Sequence, residues 1–125
     1  MRQRLVVGAA AWLEIIVGAV FLTVPDVPCL LLFGAKLDAV AMPLGRFVGI
    51  ALIALGLACL PSRVTGSRRN VVRGLFAFNA GVIILFAWVG VASTLHGFLL
   101  WPAVILHTII AGALLPYLLT KASVE

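Results

Sequence analysis

Four side chains in this sequence could do chemistry where none is expected. Glu14, Arg46, Asn79 and His107 each stand inside a long apolar run. Placing an acid or a base at the centre of a helix in lipid costs roughly 2.5–3.5 kcal/mol. Such groups therefore face a bundle interior and pair there. Glu14 is the only acid within reach of Arg46. An ion pair between them, flanked by the Asn79 amide and the His107 imidazole, would satisfy all four. That cluster has two uses. It could fix helix register alone, as buried ion pairs do, or it could contact a ligand, a proton or a cofactor.

The set is small for a cofactor site. His96 and His107 are about 15 Å apart along a helix at 1.5 Å per residue, so they cannot flank one haem within a chain. His107 alone could ligate a porphyrin-type metal, which makes it a weak metal candidate, or it could hydrogen-bond a quinone. A lone histidine in a bundle more often bonds a neighbouring helix. No cofactor is predicted and no other metal ligand set is present. Catalytic motifs are missing: there is no HExxH, GxSxG, Walker loop, CxxC or carboxylate pair. Ser93 and Thr94 lie near His96, but no acid is placed to orient that ring.

These residues must be positioned by membrane helices. The chain has 125 residues, 64% of them hydrophobic and 10% charged, with a mean hydropathy of +1.25. A soluble domain is nearer half apolar and a quarter charged. So little polar surface cannot cover a water-facing globule. Four runs are long enough to span, about 20 residues each. We place helices over about 4–24, 39–60, 71–93 and 98–120, forming one all-α, four-helix transmembrane domain.

Charge gives the orientation. Arg2, Arg4, Arg63, Arg68, Arg69, Arg73 and Lys121 lie at run ends that would share one side. Lys36, beside Asp26 and Asp38, is the only basic residue in the opposite loops. This is the positive-inside pattern, with both termini cytoplasmic. Arg63, Arg68, Arg69 and Arg73 then meet anionic lipid rather than nucleic acid. The basic, apolar start looks like a signal peptide, but Glu14 interrupts it, and a retained first helix is expected. Cys29 and Cys59 fall on opposite faces, which excludes a disulfide between them.

Small residues mark the packing faces. Ala10, Glu14 and Gly18 share one face of the first helix. Gly45 and Gly49 form a GxxxG pair on the second, and Gly74, Ala77 and Gly81 form a stripe on the third. The first outer connection, from Pro25 to about Met42, should hold a short interfacial helix over Pro28–Phe33, capped by Asp26 and ended by Gly34. The second spanning helix has two possible starts. With Asp38 as N-cap, Arg46 lies roughly 12 Å deep and meets Glu14. With Pro43 first, Arg46 sits in the first turn and snorkels outward.

The stretches Gly45-Arg46-Phe47-Val48-Gly49-Ile50, Phe78-Asn79-Ala80 and Leu100-Trp101-Pro102-Ala103 through His107 together resemble small four-helix proteins of the bacterial inner membrane, loosely DoxX-like in size and layout. The resemblance implies four helices and that membrane, and it implies no activity. Two functions are consistent with the sequence. The first is a non-enzymatic accessory subunit that meets a membrane-protein partner or a second copy of itself. The second is a small-molecule, cofactor (quinone or porphyrin-type) or proton-handling protein using Glu14, Arg46, Asn79 and His107.

Overall fold

The computed structural model describes residues 2–60 and 68–119. Pro61, Arg63 and Lys121, and the side chain of Arg68, lie outside the described residues. Five helices follow in order: α1 (Arg2–Thr23), α2 (Asp26–Phe33), α3 (Ala41–Cys59), α4 (Arg68–Ala92) and α5 (Leu100–Leu119). All but α2 are long and apolar enough to cross a membrane. The described residues contain no strand.

The bundle is two antiparallel pairs, α1 with α3 and α4 with α5. Glycine explains the first pair. A Cβ on Gly49 would stand 2.5 Å from the Leu22 nitrogen and 2.6 Å from the Gly18 carbonyl oxygen. One on Gly56 would stand 2.6 Å from the Ala11 oxygen. Backbone therefore lies on backbone, an approach only glycine allows. The expected face of α1 is the one used, with Ala10, Glu14 and Gly18 all buried, and Gly45 and Gly49 of α3 are buried too.

The stripe on α4 behaves differently. Gly74, Ala77 and Gly81 are exposed, and nothing lies within 4 Å of where a Cβ on Gly74 or Gly81 would be. The α4 face that packs carries Val72, Leu75 and Asn79 instead.

The two pairs meet in a buried cluster at one end, the base, where α1 and α4 begin and α3 and α5 finish. Val7, Ala10 and Ala11 of α1, Cys59 of α3, Val72 and Leu75 of α4 and Leu114 of α5 form one buried cluster there. Toward the other end α3 and α4 barely touch, and α2 covers the opening.

A backbone stitch holds α2 in place. A helix leaves its last carbonyls without partners. In α2, Leu30 O accepts from Gly34 N at 2.9 Å, Leu31 O from Leu99 N at 2.7 Å, and Leu32 O from Gly97 N at 3.0 Å. Gly34 closes the helix in the left-handed region, at φ 71°, as expected of a glycine after a helix. A Cβ on Gly97 would overlap the Leu31 carbonyl and Leu32. The α4–α5 turn thus ties α2 to the second pair, while the chain from Thr23 ties it to the first.

One cap differs from expectation. Asp26 does not cap α2, which starts after Pro25 with no side-chain cap bond. Its Oδ1 accepts from Leu37 N at 2.9 Å instead and folds the following loop back onto α2. Asp38 lies in the turn ahead of α3, where its Oδ1 accepts from Val40 N at 3.0 Å and Ala41 N at 2.7 Å, and α3 opens at Ala41, between the two expected starts, with Val40 at its N-cap.

The glycine contacts predict an asymmetric response to added methyl groups. Gly49→Ala should lower unfolding stability in mixed micelles by roughly 1–3 kcal/mol, the cost of overpacking. Gly74→Ala has free space and should hold or raise it, because alanine is about 0.8–1 kcal/mol better than glycine inside a helix. Equal losses from both would rule out the α1–α3 contact as described.

Candidate functional site

Asn79 and His107 are brought together by the antiparallel α4–α5 pair. Asn79 is fully buried. Its Nδ2 donates to the Leu75 carbonyl one turn back, at 2.7 Å. A carbonyl only accepts, so the amide orientation is fixed and Oδ1 points to the imidazole. Oδ1 only accepts in turn, so His107 Nδ1 must be the donor, over 2.7 Å. In its neutral form His107 therefore carries its proton on Nδ1 and leaves Nε2 a bare acceptor. Nε2 has no hydrogen-bond partner among the described residues.

Aromatic rings surround that imidazole. Phe78 lies edge-on to it at 6.1 Å between centroids and Phe86 at 6.4 Å, while Phe33 from α2 stands edge-on to Phe86 at 5.6 Å. Such perpendicular contacts suit the ring quadrupoles.

His107 lines a cavity of about 680 Å³ between the two helix pairs, beneath α2. The size is that of small-ligand sites, about 300–1,000 Å³. The wall is almost wholly aliphatic and aromatic, drawn from all five helices, with Glu14, Cys29 and His107 as its groups of chemical interest. Ile16, Leu44, Val48, Leu85 and Leu106 line it and are also exposed on the outer surface, so the cavity opens sideways between helices.

Glu14 lines the same cavity from α1. It is 2% exposed, and its Oε1 is buried without a hydrogen bond. An unpaired polar atom in such surroundings costs about 1–3 kcal/mol or more. Arg46 does not relieve it. The expected Glu14–Arg46 pair is absent, and Arg46 does not belong to the buried cluster. The helix opens at Ala41, which puts Arg46 in its second turn, and Arg46 is exposed, one residue around the helix from the buried Gly45. The glycine face must lie against α1, so a side chain one position on, rotated by about 100°, turns out of the bundle. The start of α3 falls between the two expected ones, and facing decides the pairing.

Cys29 was not anticipated as a wall residue, nor were Phe33, Phe78 and Phe86. Cys29 is buried in α2 and its thiol is free. Burial pushes the thiol above its ordinary range, and the nearby Asp26 carboxylate adds to the rise. The usable sequence signal was the run Cys29-Leu30-Leu31-Leu32-Phe33, too apolar to lie in water. Cys59 is free and buried in the cluster at the base. Arg2, Arg4, Arg69 and Arg73 are exposed at the base end. The described residues contain no group of three side chains able to hold a metal ion.

Comparison with models of protein families, with curated proteins and with solved structures finds no match to the chain.

Two outcomes test this geometry. Asn79→Leu should destabilise the protein by about 1–3 kcal/mol by leaving the His107 Nδ1–H unpaired. Asn79→Leu combined with His107→Phe should cost clearly less than the two single changes added, in a double-mutant cycle of unfolding midpoints. Cys29, followed in a Cys59→Ala background, should react slowly with a small membrane-permeant maleimide at neutral pH. A raised thiol pKa means less thiolate at a given pH. The rate should therefore keep climbing at pH values where free cysteine has levelled off, and an early plateau would contradict the burial.

Proposed function

We propose that this protein binds a lipophilic small molecule within the membrane, in the cavity between its two helix pairs. One observation carries the reading: an apolar cavity of about 680 Å³ whose wall holds a buried carboxyl group without a hydrogen-bond partner. An apolar chamber with a few convergent polar groups is the usual form of a ligand site. The aliphatic wall suits a hydrocarbon tail, and Glu14 and the Asn79–His107 pair suit a polar head. The sideways openings suit entry from the lipid phase.

The setting we propose is the bacterial inner membrane, with the arginine-rich base in the cytoplasm and α2 lying at the opposite interface. The exposed Arg2, Arg4, Arg69 and Arg73 at one end support that orientation, and the exposed Val27, Leu30 and Leu31 support an interfacial α2. The resemblance to small DoxX-like proteins is part of the same proposal.

A second reading, an accessory subunit, draws on a separate observation. The open face of Gly74, Ala77 and Gly81 on α4 is of the kind that lets another membrane helix approach closely. Purification from native membranes in mild detergent separates the two. Under the binding reading, mass spectrometry of a solvent extract finds a lipophile in near-equal amount with the protein. Val82→Trp, which fills the cavity, should lose that lipophile while remaining folded and monodisperse. A protein partner with no stoichiometric lipophile would favour the subunit reading instead.

A further inference from the structure

We propose that the cavity selects an aromatic hydroxyl, a phenol or hydroquinone ring on an apolar tail, over the corresponding quinone or ether. The inference rests on the binding reading above and narrows its ligand class. The reasoning begins with hydrogen-bond polarity. Leu75 O fixes the Asn79 amide, the amide fixes the imidazole, and Nε2 of neutral His107 is left able only to accept. Glu14 lines the same wall, but its Oε1 is shielded from the cavity and a protonated carboxyl also donates, so the polarity rests on His107. The imidazole nitrogen left without a partner is therefore an acceptor, and a matching ligand brings an O–H.

Ring shape gives the second half. Phe78 and Phe86 stand edge-on to His107, and Phe33 stands edge-on to Phe86. A flat ring beside His107 would stack or meet edges with these rings, as aromatic groups prefer. An aliphatic alcohol would satisfy Nε2 but use none of that surface. A quinone offers only acceptor oxygens, which would face His107 Nε2 without a proton between them.

The test uses the purified full chain in lipid nanodiscs with three probes: para-nonylphenol, its methyl ether and a decyl-substituted benzoquinone. The phenol should bind about tenfold or more tightly than the ether and the quinone, the factor that about 1.4 kcal/mol corresponds to. In His107→Phe, which keeps a ring but removes the acceptor, the three should bind alike. Nitrogen NMR of the wild-type imidazole should show Nε2 unprotonated and shifting on addition of phenol, a reading that does not depend on any variant folding. Equal wild-type binding of phenol and ether would overturn the inference and leave the binding function standing. Tighter binding of the quinone would do the same. Failure of all three probes to bind would overturn both. A Soret shift on adding haemin that is lost in His107→Ala would also overturn the inference, by giving Nε2 to a metal.

Discussion

The contact on which the rest depends is backbone against backbone between α1 and α3. Gly18, Gly49 and Gly56 carry no side chain, so the two helices touch at their main chains. In lipid there is no hydrophobic force between helices, and such close packing is what holds them. The contact makes α1–α3 one stiff unit and fixes which residues of α3 point away from it. The α4–α5 pair is joined by other means, including the Asn79–His107 bond and Trp101 packed at Gly90. Between the pairs the base is filled by Leu75, Leu114 and Val72. Higher up, the facing residues leave a chamber, and α2 roofs it.

The roof is held by polar bonds rather than by bulk. The last carbonyls of α2 would be unsatisfied in an apolar setting, and each such group costs several kcal/mol or so in lipid. The N–H groups of Gly97 and Leu99 satisfy two of them. Moving α2 away from the α4–α5 turn would expose these groups, so the roof is tied to the second helix pair. This places Cys29 against the cavity and sets Phe33 edge-on to Phe86 as a consequence of backbone chemistry.

Much of the scaffold was legible in the sequence. Spanning length and apolar content gave the four long helices, and the run beginning at Pro28 gave the short one. Gly34 reads correctly as helix punctuation because its role is local, whereas Asp38 bonds the turn ahead of a helix that opens only at Ala41. The site was harder, because it depends on rotation and on which pairs meet. Gly45 and Gly49 signalled a packing face, but the pattern Gly74, Ala77 and Gly81 looks the same and faces outward. Small residues permit a close approach without naming the partner. Asn79 and His107 were placed in one layer by depth alone, and they do meet. Of the two readings for Arg46, the pairing with Glu14, a long-range inference from charge complementarity, is the one that failed, and the outward one agrees with its exposure.

That failure follows from an order of priorities that applies to membrane helices. Glycine contacts set the rotation of α3, and charge had no vote once they did. An arginine can leave the bundle because its stem is long and its head can reach toward an interface. Glu14 is shorter, and its α1 position lies on the buried face between Ala10 and Gly18. The chain therefore retains a carboxyl group whose Oε1 has no partner, in the wall of the same cavity as an imidazole held by Asn79 in one tautomer. A protein selected only for stability would replace such a group with leucine at no loss of packing. Local rules are broken in this way chiefly where function requires it, and here the broken rule and the cavity occupy the same few turns of helix.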